Sequence, residues 1–224
     1  MALYCYLKAV PRIKSRQKSS LLSAILVIAG GLLIANGLLP IAIYQFKGMR
    51  FRQKTMVVPV ESFFVDYDQP TNWFPSAPKL PSHPSKITAY NLSIPKLKIN
   101  QAVVKIGGES LSESLIHYPG TALPGQYGNG IIFGHSILPQ FYNPKIYKTI
   151  FSTLPALKEG DEILVDFDGV LFRYRVIKMV EVMPNDVSVL EQRYDNEYLN
   201  LVTCVPPGTY LRRLIVQARL VNPP

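Results

Sequence analysis

The sequence predicts a mainly β domain, a barrel or a sandwich, that follows one membrane-spanning helix. Within residues 86–224, apolar residues come in short runs separated by turn residues, a pattern typical of β-strands. Two of these runs are separated by Asp168-Gly169, the dipeptide of a tight β-hairpin turn. Nearer the N-terminus, residues 21–43 contain no charged side chain. An apolar stretch of this length predicts a helix that crosses a bilayer.

The apolar stretch is long enough to span a membrane. Its 23 residues, at about 1.5 Å per residue, extend roughly 34 Å, against a hydrocarbon core of about 30 Å. A cleaved signal peptide is the alternative, but its apolar region has only about 7 to 15 residues. The sequence therefore favours a retained anchor, with residues 1–20 as a basic tail.

Basic residues lie on both sides of this stretch and orient it. Five precede it and four follow it; this small excess, together with the short tail, predicts a cytoplasmic N-terminus and an extracellular domain. These nine residues account for the whole net charge of +9, because the other 15 Lys and Arg balance 15 Asp and Glu. A neutral domain argues against nucleic acid as a partner and favours contact of the basic residues with lipid headgroups.

Residues 44–85 are predicted to form a juxtamembrane segment and a proline-rich spacer. Six prolines lie between positions 55 and 85, with few periodic apolar residues, which is typical of an extended, semi-rigid connection. Trp73 and Phe74 interrupt this pattern. They either pack along the domain surface or lie among lipid headgroups, and the sequence leaves both readings open.

Residues 86–224 have the size of one ordinary domain. In the run after Asp168-Gly169, the three apolar residues from Phe172 to Val176 alternate with two arginines, so this strand has one apolar and one polar face. Short helices are predicted at residues 109–116, 146–157 and 186–190.

Cys204 is the candidate nucleophile. In an oxidising compartment structural cysteines usually pair, and Cys5 lies on the other side of the predicted membrane span. A thiol with an ordinary pKa of about 8.5 needs a neighbour that stabilises its thiolate. His83, His117 and His135 are available, and His135 is favoured because it ends the apolar run GIIFGHS. From the residues alone, a structural histidine and a buried, unreactive cysteine remain alternatives.

Several segments resemble the sortases, cysteine transpeptidases of Gram-positive-type cell envelopes. LVTC (201–204), followed by an arginine directly before an aliphatic run, is similar to the sortase active-site signature. Residues 91–104, 117–136 and 161–176 resemble other family segments in order and spacing. The resemblance covers about residues 90–220 and implies a closed β-barrel of about eight strands with short helices. The histidine motif reads GHS where many members have GHR, and LVTC begins with Leu-Val where Thr-Leu is common. These two departures leave the subclass open, and a class D-like enzyme is preferred.

The resemblance implies three catalytic residues. Cys204 matches the nucleophile, His135 the histidine that serves as general acid and base, and Arg213 the arginine before the aliphatic strand. The residues expected to contact the substrate at the cleft are Thr203, His117 and Tyr118. No cofactor and no metal ion is implied.

The implied reaction is cleavage of a C-terminal sorting motif such as Leu-Pro-x-Thr-Gly between Thr and Gly. The acyl group passes through a thioester on Cys204 to an amine of the cell wall or of a pilin. One alternative is a cysteine endopeptidase that uses the same dyad and gives the acyl group to water. Another is a non-catalytic envelope β domain that binds peptides.

Overall fold

The computed structural model describes residues 17–47, 65–77, 80 and 86–221. Helix α1 runs from Gln17 to Lys47. Within it, Leu21–Phe46 has a mean hydropathy of 2.2 and is long and apolar enough to cross a membrane. Most of its large apolar side chains between Leu21 and Leu39 are exposed. The predicted span at residues 21–43 lies inside it.

The domain is a closed barrel of eight strands. The strands are β1 Ala89–Ile94, β2 Ile99–Ile106, β3 Leu115–His117, β4 Gly128–Phe133, β5 Glu162–Phe167, β6 Val170–Val182, β7 Glu197–Val205 and β8 Arg212–Leu220. Around the barrel they follow the order β1-β2-β3-β4-β7-β8-β6-β5, and pairing of β1 with β5 closes it. Two neighbours, β2–β3 and β4–β7, are parallel and the others are antiparallel. The prediction of a closed, mainly β barrel is confirmed.

The predicted hairpin joins β5 to β6. Asp168 and Gly169 form its turn with φ of 54° and 74°, the left-handed values that a tight hairpin turn requires and that Asp and Gly tolerate. Along β6 the predicted alternation holds, because Tyr174 and Val176 are buried while the arginines between and before them are exposed.

The predicted short helices are mostly turns. Residues 109–116 form turns that lead into β3, where Leu115 and Ile116 are fully buried and pair with β2 and β4. Strand pairing and burial therefore override the helical pattern there. The other two segments contain only short 3-10 helices, at Leu154–Ala156 and Val187–Leu190. A three-residue strand such as β3 is too short to show a period in the sequence.

Buried apolar side chains form two clusters. The first contains residues from all eight strands and fills the barrel interior. The second lies on the other face of β4, β7 and β8 and includes Phe133, Val202 and Cys204. Because side chains alternate along a strand, Leu201 belongs to the first cluster and its neighbour Val202 to the second.

Residues 65–77, part of the predicted spacer, pack on the second cluster and are called here the cover segment. Trp73 and Phe74 are 0% and 2% exposed and belong to that cluster. Of the two readings left open by the sequence, packing along the domain is therefore the one seen for these aromatics. His83, Cys5 and most of the basic tail lie outside the described residues.

Candidate active site

Cys204 and Arg213 face each other across two antiparallel strands. Cys204 lies near the end of β7 and Arg213 near the start of β8, and the two are direct partners in the ladder. Opposite residues of such a pair have Cβ atoms about 5 Å apart. Both side chains are 1% exposed. The register of β7 and β8 therefore brings a thiol and a fixed positive charge together.

His135 reaches the same place from the other side of β7. It follows β4, which runs parallel to β7 and ends with the pair Phe133 and Val202. The ladder continues for one further bond, from the backbone N–H of Gly134 to the carbonyl of Val202 at 3.1 Å. His135 is the next residue, so it emerges beside Cys204. The structure thus brings the three predicted catalytic residues to adjacent strand ends.

Gly134 is required where β4 ends. A Cβ at this position lies 2.4 Å from the Phe151 ring and 2.6 Å from a methyl group of Leu115. Both neighbours are fully buried in the first cluster, so a larger residue forces either these side chains or the strand end to shift. The glycine therefore allows His135 to lie close to the packed domain.

The cover segment bonds both polar residues that are predicted to act with the thiol. The Nε2 of His135 donates to Oδ1 of Asp68 at 3.0 Å. The Nε of Arg213 donates to the backbone carbonyl of Trp73 at 3.3 Å, and its Nη1 donates to the carbonyl of Tyr210 at 3.0 Å. The guanidinium carbon also lies 5.4 Å from the centre of the Trp73 ring, within the range of a cation–π contact.

Further contacts hold the cover segment in place. Oδ2 of Asp68 accepts hydrogen bonds from Ser110 at 2.8 Å and Ser112 at 3.2 Å. Tyr67 stacks on Tyr210 of the β7–β8 loop, with ring centres 4.1 Å apart and planes 6° apart. These contacts tie the segment to two loops of the barrel as well as to the site itself.

Enclosure sets the protonation of the site. Burial raises the pKa of the Cys204 thiol to about 11, although the nearby Arg213 acts to lower it. Burial likewise lowers the pKa of His135, against the opposing effect of its hydrogen bond to Asp68. Burial acts to raise the pKa of Asp68, but its hydrogen bonds from His135 and the two serines outweigh this and lower it. In the covered structure Cys204 is therefore a neutral thiol at physiological pH.

His117 lies apart from this group. It is 1% exposed, and its Nδ1 is 2.7 Å from the Tyr90 hydroxyl. The Thr121 hydroxyl donates to the carbonyl of Tyr118 and so accepts from His117 Nε2 at 3.0 Å. Burial lowers the pKa of His117 to about 4, so the ring is neutral. The structure gives this histidine two internal partners and does not bring it to Cys204.

The other two residues expected to contact the substrate are also enclosed. Thr203 is fully buried, and its hydroxyl donates to the carbonyl of Gly134 at 2.8 Å. Tyr118 is 8% exposed and packs edge-on against Phe133 in the second cluster. Thr203 thus links the strands that carry the cysteine and the histidine, while Tyr118 lies on the same face of the barrel as Cys204.

Comparison with known proteins identifies the family. A model of the Sortase domain matches residues 92–221. The chain belongs to the sortase family. Sortase D of Bacillus subtilis (strain 168) is 25% identical over 135 residues, which cover 58% of this chain and 63% of that relative. Sortase A of Bacillus anthracis is 25% identical over 216 residues, 91% of this chain and 94% of that relative.

A solved structure described as a Clostridium perfringens Sortase D5 transpeptidase has the same fold. The two share 28% identity and a TM-score of 0.52 over 60% of this chain and 79% of that chain. The match spans less than two thirds of the length of the Bacillus subtilis relative. The matched sortase region contains His135, Cys204 and Arg213, whereas the cover segment lies outside it.

Sequence reasoning missed two residues of this sortase site. Asp68 lies in a stretch that resembles a linker, and its partner His135 is 67 positions away. Ser136 donates to the carbonyl of Cys204, 68 positions away. Only the tryptophan and phenylalanine in the spacer signalled that this stretch packs on the domain, because large aromatics are seldom left in an extended linker.

Proposed function

We propose that this protein is a membrane-anchored cysteine transpeptidase that cleaves a Leu-Pro-x-Thr-Gly-like sorting motif and joins the cleaved protein to an amine. The observation that carries the proposal is the position of Cys204, directly opposite Arg213 in the ladder and beside the strand end that carries His135. Membership of the sortase family supports it, and the apolar helix Leu21–Phe46 is compatible with a membrane anchor.

In the proposed reaction, the thiolate of Cys204 attacks the carbonyl carbon of the motif threonine. The carbon–nitrogen bond to glycine breaks, and His135 as an imidazolium gives its proton to the departing amine. A thioester on Cys204 remains. An incoming amine from the cell wall or a pilin then attacks the thioester, and neutral His135 takes its proton. The amide product leaves, and the Cys204 thiolate and the His135 imidazolium are regenerated.

Arg213 is proposed to donate hydrogen bonds to the substrate. In the covered structure its Nε donates to the carbonyl of Trp73, which supports a carbonyl of the substrate as its partner in the reaction. During the reaction a carbonyl of the sorting peptide, or the oxyanion that forms from it, takes the place of the Trp73 carbonyl. Preorganised donors of this kind stabilise the developing charge.

The cover segment has to leave before the reaction begins. Cys204 is 1% exposed, too little for a peptide to approach its sulfur. Departure of the segment frees the Arg213 donor and the His135 imidazole together, since Trp73 and Asp68 belong to the same short stretch. It also exposes the thiol to water, which favours ionisation because burial is the main cause of its raised pKa.

The proposed location follows from the basic residues around the span. The short basic tail stays in the cytoplasm and the barrel lies outside the cell, where sorting-signal proteins and cell-wall amines are found. Lipid bilayer, substrate protein and amine acceptor are thus the proposed partners. A class D-like enzyme remains the preferred subclass.

The test is mass spectrometry of the full-length protein in detergent, incubated with a small library of Leu-Pro-x-Thr-Gly peptides. An acyl adduct on the peptide that contains Cys204, and an amide conjugate once an amine is added, are the expected results. Adduct followed only by hydrolysis, with the amine present, indicates an endopeptidase instead. Cys204→Ala is the control, and cleavage that persists in it removes the thiol from the reaction.

A further inference from the structure

The pairing of β4 with β7 changes character where the candidate catalytic residues lie. Up to Gly134 the two strands are joined by backbone hydrogen bonds, the last from Gly134 to Val202. The carbonyl of His135 then turns away from β7 and accepts the N–H of Phe151 at 3.0 Å. Backbone bonds therefore do not hold His135 beside Cys204.

Two side-chain hydroxyls continue the connection. Thr203, on β7, donates to the carbonyl of Gly134 at 2.8 Å. Ser136, after β4, donates to the carbonyl of Cys204 at 2.6 Å. The two bonds run in opposite directions and connect the residues that flank His135 with Cys204 and the residue before it. Both hydroxyls belong to buried residues, 0% exposed at Thr203 and 7% at Ser136, so water does not replace either bond.

Ser136 follows the end of β4, which is held by fewer backbone hydrogen bonds than the end of β7. Cys204 is held on its other side by the β7–β8 ladder, whereas His135 precedes a long loop without β-structure. The Ser136 bond is short and enclosed, and its acceptor is the carbonyl of the candidate nucleophile itself. A buried hydrogen bond of this kind fixes geometry, because breaking it leaves the carbonyl without a partner.

We propose that Ser136 is a positioning residue, whose hydroxyl holds the His135 strand end at the distance from Cys204 that proton transfer requires. The proposal rests on the proposed function of the two residues. Ser136 itself bonds backbone and touches no reacting atom. Removal of its hydroxyl leaves the peptide-binding surface intact and loosens the pair, so the chemical step slows while substrate binding stays the same.

The test compares Ser136→Ala with wild type in the full-length protein in detergent, with a Leu-Pro-x-Thr-Gly peptide and an added amine. We expect kcat to fall about tenfold or more with KM within about twofold, since small misplacements of reacting groups cost rate far more than binding. Iodoacetamide alkylates Cys204 when the cover segment is open, and the pH profile of this reaction is read by mass spectrometry. It should shift to higher pH, because in the open site of the variant the imidazolium no longer lies beside the thiolate.

Two further substitutions separate the hydroxyl from the shape of the side chain. Thr and Val have nearly the same shape, and only Thr keeps the donor. Ser136→Thr should retain kcat within about threefold of wild type, and Ser136→Val should lose about as much as Ser136→Ala. This pair also decides the matter if the alanine variant fails to fold, since equal kcat for the threonine and valine variants overturns the proposal.

Ser152→Ala is the matched control. Ser152 is also buried, and its hydroxyl accepts the N–H of Ile137 at 2.9 Å, so its partner lies in the same loop rather than on β7. We expect this variant to lose thermal stability as Ser136→Ala does, with kcat close to wild type. Equal losses of kcat in both variants mean a general effect on folding and overturn the positioning role. Failure of the wild type to form an acyl adduct counts against the proposed function instead.

Discussion

At the scale of single residues, Arg213 is a buried cation whose hydrogen-bond partners are backbone carbonyls. It donates to Trp73, Tyr210 and Arg212. Carbonyls carry only partial charge, so the positive charge of the guanidinium is not neutralised by them and is available for its proposed role at the thiolate and at a developing oxyanion. A planar group with several fixed donors suits this role better than a lysine ammonium.

Arg213→Lys should therefore lower kcat for the sorting peptide about a hundredfold, because the positive charge remains while the directed donors are lost. Steady-state kinetics of peptide cleavage by the full-length protein measure this change in kcat. Arg212→Lys is the control, since Arg212 is adjacent in sequence and only partly buried. A larger loss of kcat in the Arg212 variant than in the Arg213 variant would mean that Arg212, and not Arg213, has this role.

His117 gives a second prediction at this scale, about stability. Its pKa in the fold is about 4, below its ordinary 6.5, because burial disfavours the charged ring. Between these values the unfolded chain binds a proton that the folded barrel does not bind. Lowering the pH from about 6.5 to about 4 should therefore reduce the free energy of unfolding, by up to about 3 kcal/mol from this residue.

His117→Gln tests the assignment by urea unfolding at several pH values. We expect the glutamine variant to be less stable than wild type at neutral pH, because an amide does not reproduce the hydrogen bonds of the ring with the Tyr90 and Thr121 hydroxyls. Its unfolding free energy should nevertheless change less with pH than that of wild type. His135, whose pKa is also lowered, contributes to both proteins alike. An unchanged pH dependence in the variant contradicts the burial argument.

The sequence predicts those site residues whose position depends on their immediate neighbours in the chain. Cys204, His135 and Arg213 each stand at the end or start of an apolar run, so their place on a strand end is readable from a few neighbours. Asp68 and Ser136 gain their importance from partners 67 and 68 positions away. Composition carries no trace of such contacts, because register and loop path decide them.

At the scale of elements, the β5–β6 hairpin can be predicted from the sequence and the packing of the cover segment cannot. The β5–β6 hairpin is predictable since its turn and its alternation lie within a few residues of each other. Strand β3 is held by partners on two other strands and shows no period of its own. The cover segment resembles a spacer by its prolines, and only its fit to the second cluster makes it part of the domain.

Trp73 is a buried apolar contact between the cover segment and the second cluster. It is fully buried, and removing a buried Trp side chain costs about 3–5 kcal/mol, enough to raise the open fraction strongly. Trp73→Ala should therefore speed alkylation of Cys204 by iodoacetamide at least about tenfold at neutral pH. Mass spectrometry of the Cys204 peptide over time measures the rate and separates it from Cys5.

Phe141→Ala is the control for this change. Phe141 is an aromatic residue outside the cover segment and is 61% exposed, so its removal should leave the alkylation rate as it was. An unchanged rate in Trp73→Ala, with the barrel still folded, means that the segment opens without regard to this side chain. In that case Asp68 and Tyr67 hold it.

At the scale of the whole molecule, charge and hydropathy are distributed unevenly along the chain. All nine basic residues in excess lie within the first 54 positions, on both sides of the uncharged span Leu21–Phe46, and the remainder of the chain is neutral. The flank with more positive charge, here by five residues to four, favours the cytoplasmic side, while a long following domain is translocated largely regardless of its own charge. The barrel is thus expected outside the cell.

A thiol reagent that does not cross membranes tests this topology in intact cells of a Gram-positive host. Tyr194 is 71% exposed on the barrel, so Tyr194→Cys in a Cys204→Ala background offers a thiol independent of the covered site. We expect this position to react in intact cells and Cys5 to react only after permeabilisation. A cleaved signal peptide instead places labelled barrel in the medium without Cys5, and protection of position 194 until lysis reverses the proposed orientation.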